Sequence, residues 1–450
     1  MRTVDVAIVG AGHNGLTCAA LLAGAGLDVV VLERRARAGG AAATEELLPG
    51  YRFPTCAYVV HLLEPEVLRA IGIAEEELRL LPLPPRRVVL GGEVLDENEP
   101  PEWEQVGAVL GAFALRDAPA EEELLAEARR QGAEDAVARF ARESLRALGL
   151  AGTLGPPYFE ADPDEAGGPL AHAWTKRPGL GPAVPEGGMG TVAAAFERAA
   201  RAAGAELRLG VPVERIAPGR GVVAAGEEVR ARAVVSSAPP PATLRLAGVD
   251  AASPPLGPGA AKLHVALDGE PDLSLVGAAE ELGLVHVVPA DDWLPRAAAE
   301  VRDGRFPESG LVELQLPTLR DRSLAPPGGH CLSVFLPHAP PRVEGGWDAR
   351  RDELGEHLLA LAERAIPNLR GLVTGAVVHT PADLERRVGL PGGAIHHLPH
   401  VPALMGRGRP GPATGVEGLF LCGAGTHPGG ELSGAPGANA ARAVLEALAV

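Results

Sequence analysis

A glycine-rich turn near the start of the chain constrains the fold more than any other feature of the sequence. Val4–Val9 is a short apolar run rich in β-branched residues, which is typical of a buried parallel strand. Gly10, Gly12 and Gly15 follow in G-x-G-x-x-G spacing, and the next residues predict a helix over Leu16–Ala25. The first glycine permits a tight turn, the second lets the backbone approach a diphosphate, and the third lets the helix pack close to the strand. This unit predicts a doubly wound, Rossmann-like α/β sheet that binds a nucleotide at its edge.

The residues after this turn indicate which groups of a nucleotide it can hold. Asp28–Leu32 predicts a second strand, and Glu33 ends it at a point where a carboxylate accepts hydrogen bonds from ribose hydroxyls. The start of the preceding helix presents free N–H donors and positive partial charge to phosphates. The residues of the turn that we expect to contact the nucleotide are Gly10, Ala11, Gly12, His13, Asn14 and Gly15. A glycine turn without a ligand is the alternative, and the complete strand–helix–strand context weighs against it.

A second glycine pair narrows the nucleotide to FAD. Gly39 and Gly40 come shortly after the acidic residue, in the sequence RRARAGGA. A second close approach of the backbone makes sense when a long ligand crosses the sheet edge and is covered from both sides, as FAD would be. We therefore expect Arg34, Gly39, Gly40 and Ala41 to contact FAD. A plain loop is the alternative, because the chain contains 58 glycines.

The other dense motif lies near the end of the chain. Leu419–Cys422 predicts a short buried strand, which runs into a turn of small residues that can lie against a ligand. A helix over Pro436–Leu448 follows, and proline suits its first turn. The N-terminus of that helix is a favourable neighbour for the flavin edge that becomes anionic on reduction. From this motif we expect four residues to contact the flavin, namely Gly423, Ala424, Gly437 and Ala438.

These motifs together carry a resemblance to a known family. The segments GAGHNGL, ERRARAGG, PEGGMG and LCGAGTHPGG resemble the phytoene desaturase-like flavoproteins, and especially the branch called pyridine nucleotide-disulphide oxidoreductase domain-containing protein 2. The resemblance implies bound FAD and a glutathione reductase/amine oxidase-like architecture, with an inserted α+β substrate domain. It implies dehydrogenation of apolar, often isoprenoid, substrates. It also implies that Val213 presents its backbone to the adenine side of the cofactor.

The sequence argues against the disulphide reductase chemistry that this branch name suggests. Such reductases need a second dinucleotide fold for NAD(P)H and a redox-active pair of cysteines. The chain has one strand-flanked glycine fingerprint, and Cys18, Cys56, Cys331 and Cys422 form no close pair in the sequence. The sequence contains no C-x-x-C motif, so it indicates neither a disulfide framework nor a zinc site. We therefore expect no metal.

The length of 450 residues suits two to three domains, and we predict two that are both discontinuous. The FAD-binding domain takes residues 1–60, 185–245 and 410–450, and the substrate-binding domain takes residues 61–184 and 246–409. The segment 61–180 has a largely helical pattern, and the charged residues of 121–150 are most simply the solvated face of long helices.

Composition restricts the partners of the protein. A net charge of −17 without a dense basic tract argues against nucleic acid. No apolar run reaches the roughly 18 residues of a membrane span, and MRTVDVAIVG lacks the layout of a targeting segment, so we expect a cytoplasmic protein. We expect a small hydrophobic substrate and an external electron acceptor, either oxygen or a quinone. Peripheral contact with a membrane would suit such a substrate, and the oligomeric state stays open.

Several residues are candidates for proton transfer or ligand binding. His427 lies in the GTHPG turn and could accept a proton near the flavin, or its ring could brace the turn. Lys262 begins a predicted strand, and in related flavin amine oxidases a lysine on a corresponding strand holds a water near flavin N5. A surface or strand-end lysine is the alternative. For His396, His397 and His400 we favour a loop that lines the substrate cavity over a metal site, because no acidic or cysteine ligand lies alongside.

We expect an FAD-dependent oxidoreductase that desaturates a hydrophobic substrate by hydride transfer to flavin N5. A flavin amine oxidase is the nearest alternative. Such enzymes hold the amine between aromatic rings, but this chain has no Phe, Trp or Tyr between Trp347 and Phe420. A flavin-binding scaffold or regulatory protein with little turnover is the other alternative, which the aromatic content of 3% leaves open. A saturase that runs the reaction backwards with an external donor is a further option.

Overall fold

The computed structural model of the chain describes residues 2–90, 92–96, 115, 121–133, 180–250, 256–290, 292–399, 404 and 408–450. The described residues form two seven-stranded sheets and two two-stranded ribbons, with helices packed against them. The strands are β1 Arg2–Val9, β2 Val29–Glu33, β3 Thr44–Leu48, β4 Tyr51–Pro54, β5 Leu80–Pro82, β6 Arg87–Leu90, β7 Glu93–Asp96, β8 Ala183–Pro185, β9 Glu206–Leu209, β10 Val213–Ala217, β11 Gly221–Ala224, β12 Glu227–Ser236, β13 Gly259–Asp268, β14 Val285–Val288, β15 Val312–Gln315, β16 Gly329–Ala339, β17 Val373–His379 and β18 Leu419–Leu421. The helices are α1 His13–Gly24, α2 Pro65–Ala70, α3 Glu121–Arg130, α4 Met189–Ala202, α5 Pro240–Leu246, α6 Trp293–Asp303, α7 Arg351–Glu363, α8 Leu369–Leu372, α9 Pro381–Val388 and α10 Ala435–Leu448.

The first sheet is built around the N-terminal strand. Its order is β10–β11–β12–β1–β2–β9, with β18 paired to the carboxyl-terminal end of β12. Strands β1, β2, β9, β12 and β18 run parallel, whereas β10 and β11 join them antiparallel. Because the carboxyl ends of parallel strands meet at one edge, Gly10, Glu33, Ser237 and Gly423 come together there.

Three helices cover one face of this sheet, and α1 packs against both α4 and α10. Their apolar faces, with Leu16, Leu22, Phe196 and Val444, form a core that is fully buried. A Cβ atom on Gly15 would lie 2.2 Å from the carbonyl oxygen of Gly10, so the helix can approach the strand this closely only through a glycine.

The second sheet has the order β17–β13–β16–β15–β14–β6–β7 and is mixed. Its two longest strands, β13 and β16, are buried along almost their entire length. Side chains of α7, including Leu354 and Leu358, pack with Leu263 and Val334 on one face. Phe53 of β4 packs with Ala266 and Cys331 of this sheet. The sheet is therefore covered on both sides, and its Lys262 and Phe335 face the first sheet across a shared cavity.

The predicted α/β architecture is confirmed, and the differences lie in the element bounds. Helix α1 begins at His13 rather than Leu16, directly after the extended residue Gly12. The run ARAVVSSA predicts a buried strand over Ala231–Ala238, whereas β12 spans Glu227–Ser236, because its first four residues pair with β11.

The segment 61–180, expected to be mostly helical, also contributes β5, β6 and β7. Strand β5 pairs with β8 and strand β6 pairs with β14, both of which come later in the chain. The local sequence does not indicate these pairings. The predicted helical residues 134–150 lie outside the described residues. The division into two domains stays a prediction. All strands of the first sheet lie in the ranges predicted for the FAD-binding domain, and all strands of the second sheet lie in those predicted for the substrate-binding domain. In the part of the chain that the structure describes, no helix combines the length and apolarity that crossing a bilayer requires.

Candidate active site

A cavity of about 620 Å³ lies between the two sheets. Its volume falls within the range of about 300–1,000 Å³ that is usual for cofactor and small-molecule sites. Most of the predicted site residues line it, namely Gly10, Gly12, His13, Asn14, Glu33, Arg34, Gly40, Ala41, Val213, Lys262, Gly423 and Ala424. The N-terminal and C-terminal motifs thus meet at one cavity, as their sequences predict.

The glycine turn leaves the N-terminus of α1 open towards this cavity. Gly10 has a φ of +93°, a backbone conformation that residues with a side chain rarely adopt, and a Cβ atom there would also lie 2.4 Å from Ser237 Oγ. At Gly12 a Cβ atom would meet no atom within 4 Å, which shows that its open side faces the cavity. No side chain caps the first turn of α1, and no acidic residue lies in it. This helix end is suited to a diphosphate.

The carboxylate of Glu33 is held in a fixed orientation beside the turn. One of its oxygens accepts a hydrogen bond from the Ala11 amide at 2.8 Å, and the other accepts from the Arg35 amide at 2.8 Å. The side chain is 7% exposed and borders the cavity. The carboxylate has further lone pairs that could accept from ribose hydroxyls, and this contact stays a prediction.

We expect Glu33→Ala to weaken the retention of FAD by about tenfold to 100-fold, since hydrogen bonds to a charged group contribute about 1.5–3 kcal/mol. The dissociation constant of FAD can be measured by fluorescence titration of the apoprotein. The matched control is Glu228→Ala, because Glu228 lies on β12, its side chain is half-exposed and it is not among the described residues that line the cavity. A Glu33→Ala protein that holds FAD as tightly as the parent would contradict this role.

Buried polar atoms of His13, Asn14 and His397 at the cavity have no hydrogen-bond partner within the described structure. They are His13 Nε2, Asn14 Oδ1 and His397 Nδ1. Burial lowers the pKa of His13 to about 4, although a hydrogen bond to the Glu431 backbone opposes that shift. Burial, together with the charge of Arg409, lowers the pKa of His397 to about 3. Both imidazoles are therefore neutral near pH 7. Because unpaired buried polar groups are costly, these residues fit a bound ligand with many polar atoms, such as FAD.

Five predicted cofactor contacts lie behind the cavity lining. The residues are Ala11, Gly15, Gly39, Gly437 and Ala438. The Gly39 amide donates to the Ala11 carbonyl at 2.8 Å, which ties the second glycine pair to the first turn. A Cβ atom on Gly437 would lie 2.2 Å from the Asn14 carbonyl oxygen, so α10 packs directly against the start of α1. These residues shape the cradle, and direct contact with FAD stays a prediction for each.

Lys262 is a central residue of the cavity wall. It lies inside β13 and is 1% exposed, so the alternative of a surface or strand-end lysine is wrong. The antiparallel pairing of β13 with β16 and β17, which local sequence does not reveal, encloses it. Its Nζ donates to the carbonyl oxygens of Pro54 and Cys56, both at 3.0 Å. Burial lowers the pKa of Lys262 to about 7, although the neighbouring Cys56 and Glu313 oppose that shift.

His427 is buried but is not among the described residues that line the cavity. Its amide donates to the Pro410 carbonyl at 2.9 Å, and its carbonyl accepts from Asn439 Nδ2 at 3.4 Å. A catalytic role for His427 stays a prediction.

The histidine loop borders the cavity through His396 and His397, whereas His400 lies outside the described residues. Arg409 anchors this loop, donating to the carbonyl oxygens of His396 and Ala424 at 2.9 and 2.6 Å. Within the described residues, no cluster of His, Cys, Asp or Glu could hold a metal ion.

Two cysteines that are far apart in the sequence come together in the core. The side chains of Cys18, in α1, and Cys422, after β18, share a hydrogen bond, and both are fully buried. This hydrogen bond and burial raise the pKa of the Cys18 thiol well above its usual range. A protonated, buried thiol is a poor nucleophile, and neither residue is among those lining the cavity, so the pair does not make a disulphide reductase site.

The cavity also contains a polar group that sequence patterns do not reveal. Tyr58 lines the cavity, and its hydroxyl donates to the carboxylate of Glu313. His286 Nε2 lies 2.7 Å from the other carboxylate oxygen, and Gln315 Nε2 donates to the Tyr58 carbonyl at 2.7 Å. The scarcity of tyrosine, with three in the whole chain, is the only signal that could have drawn attention to Tyr58.

This cavity and its glycine cradle define a flavoprotein, and sequence comparison gives its family. A profile of the flavin containing amine oxidoreductase family matches residues 15–445. The chain belongs to this family, and it is an FAD-dependent oxidoreductase.

Individual relatives place the chain more closely. It is 30% identical to the Rattus norvegicus pyridine nucleotide-disulfide oxidoreductase domain-containing protein 2, over 99% of this chain and 94% of the relative. It is 31% identical to the phytoene dehydrogenase of Streptomyces griseus, over 54% of this chain and 49% of that enzyme. Among solved structures, cyclohexylamine oxidase from Brevibacterium oxydans has a TM-score of 0.61 at 17% identity, covering 99% of this chain and 100% of the oxidase. The predicted resemblance is confirmed, and the last comparison shows the fold alone.

Proposed function

We propose that the protein dehydrogenates a hydrophobic, isoprenoid-like substrate, with oxygen or a quinone as the final electron acceptor. The observation that carries this proposal is the apolar wall of the cavity on the side of the second sheet. Phe335, Leu384, Val388, Leu390 and Ile395 line it. An apolar wall of this kind binds a hydrocarbon without polar anchors.

The arrangement of aromatic rings disfavours an amine oxidase. Tyr58 and Phe335 both line the cavity, and their ring centroids are 5.2 Å apart at an angle of 52°. An amine held between two rings needs them about 7 Å apart, twice the contact distance of about 3.5 Å between carbon atoms. Tyr58 and Phe335 contact each other directly and leave no such gap.

The chain's own residues have separable roles in this proposal. Gly10, Gly12 and Glu33 hold FAD, which when bound supplies a hydride acceptor. The apolar wall orients the substrate carbon and excludes water. Lys262 is fixed by two carbonyl oxygens at the cavity, where it can hold a water molecule.

Anaerobic reduction of the FAD-loaded protein tests the proposal. Phytoene or squalene in detergent micelles should bleach the flavin band and yield a product with one more double bond, seen by absorbance and mass spectrometry. A panel of primary amines under the same conditions should leave the band unchanged.

Rapid bleaching by amines with peroxide release would overturn the proposal in favour of an amine oxidase. A photoreduced flavin that neither oxygen nor a quinone reoxidises would favour a non-enzymatic role.

A further inference from the structure

A chain of buried ionisable side chains leads from the cavity into the second sheet. It begins at Tyr58, which is 8% exposed, and continues through Glu313 in β15, which is 3% exposed. It ends at His286 in β14, which is fully buried and pairs with the second oxygen of Glu313. These contacts connect the cavity to a carboxylate that does not itself line it.

The surroundings of Glu313 keep its carboxylate ionised. Burial alone would raise its pKa, but hydrogen bonds from His286 and Tyr58 and the charge of Arg86 lower it to about 2. Burying an ionised carboxylate often costs free energy, because the desolvation penalty exceeds the attraction to its partners. A purely structural role is therefore a poor reason to keep one. An ionised carboxylate behind a phenol is a base that reaches the cavity through one hydrogen bond.

Lys262 helps to hold the ring of Tyr58 in place. Its Nζ lies 4.3 Å from the centroid of the Tyr58 ring and is fixed by the carbonyl oxygens of Pro54 and Cys56. Phe335 packs against the same ring. The phenol is thus held between the cavity and Glu313, with its ring fixed by its neighbours.

We propose that Tyr58 and Glu313 form the exit for the proton that dehydrogenation releases, an inference that rests on the proposed function. Desaturation removes a hydride from one carbon, for which FAD would be the acceptor, and a proton from the neighbouring carbon. The second C–H bond breaks, and its electron pair becomes the new C=C bond. The proton joins Tyr58 Oη while the phenolic proton moves to Glu313, so the phenol stays neutral and the carboxylate becomes neutral. Because a C–H bond next to an electron-deficient carbon is strongly acidic, even a weakly basic carboxylate suffices.

In this arrangement Tyr58 is the catalytic residue, and Glu313 receives the proton through it. His286 is a positioning residue, because it orients the second carboxylate oxygen and does not reach the cavity lining.

Two conservative variants test the proposal in the FAD-loaded protein with phytoene. Tyr58→Phe keeps the ring without the hydroxyl, and Glu313→Gln keeps the shape of the side chain without its charge. Each should lower kcat by at least about 100-fold, the usual size of a general-base contribution, while KM changes less than threefold. Deuterium at the carbon that loses the proton should produce a larger isotope effect on kcat in both variants, which a merely structural role would not do. The flavin spectrum and the FAD dissociation constant should match those of the parent.

The matched control is Tyr51→Phe, because the Tyr51 hydroxyl donates to the Leu267 carbonyl at 3.1 Å and Tyr51 is not part of the cavity lining. Its kcat should equal that of the parent. An active parent whose Tyr58→Phe and Glu313→Gln variants keep their kcat would overturn this inference and leave the proposed function intact. A parent that dehydrogenates neither phytoene nor squalene would overturn the proposed function, and this inference with it.

Discussion

Replacing Gly12 by valine should yield a folded protein that no longer retains FAD. The extended backbone of Gly12, with φ of −73° and ψ of 166°, accepts a β-branched residue without strain, and its Cβ position is free of protein atoms. The new side chain would therefore occupy the cavity where the diphosphate approaches the helix N-terminus. We expect the FAD dissociation constant to rise at least about 100-fold, equivalent to roughly 3 kcal/mol. Fluorescence titration of the apoprotein measures this constant, and thermal unfolding of the apoprotein should be unchanged.

Gly24→Val provides the matched control for this experiment. Gly24 ends the same helix, is exposed, and also has no atom within 4 Å of its Cβ position. Valine there should leave the affinity for FAD unchanged. Equal retention of FAD by both variants would refute the assignment of Gly12 to the diphosphate.

Replacing Lys262 by methionine should remove a large pH dependence of stability. Burial lowers the pKa of this lysine from its ordinary value of 10.5 to about 7 in the folded protein. Between these two values the unfolded chain binds a proton that the folded protein does not, so the free energy of unfolding rises with pH across this window. From pH 7 to pH 10 the contribution of this one group is about 4 kcal/mol, at 1.36 kcal/mol per pH unit. Urea unfolding of parent and variant at a series of pH values measures the difference between them.

The same series of unfolding measurements contains its own control at low pH. Below about pH 6 the lysine is protonated in both states, so the difference in unfolding free energy between parent and Lys262→Met should be constant there. This constant difference also includes the loss of the hydrogen bonds from Lys262 to Pro54 and Cys56, which does not vary with pH there. A difference that stays constant up to pH 10 would show that Lys262 keeps its ordinary pKa despite its burial.

The cofactor side of the site was predictable because its signals are local. Gly10, Gly12 and Gly15 are fixed in spacing by one turn, and Glu33 by the length of one helix and one strand. Each requirement acts between residues that are close in sequence, so the pattern alone indicates the geometry. The closing motif is predictable for the same reason, since a short strand leads directly into small residues.

The substrate side could not be predicted in the same way. Tyr58, Glu313 and His286 belong to segments more than 25 residues apart, and the register of β14 against β15 brings two of them together. Nothing near Lys262 in the sequence shows that β16 and β17 will enclose it. Contacts of this kind depend on strand order, which the spacing of residues along one segment does not determine.

The order in which the chain is made has a consequence for how the flavoprotein matures. The parallel sheet begins with β1 and β2, but β18 and α10, which complete the cradle around the first turn, belong to residues 419–448. During synthesis the N-terminal half of the cradle therefore emerges hundreds of residues before its counterpart. We therefore expect FAD to be held tightly only once β18 and α10 have been synthesised, and a chain truncated before Leu419 should be colourless.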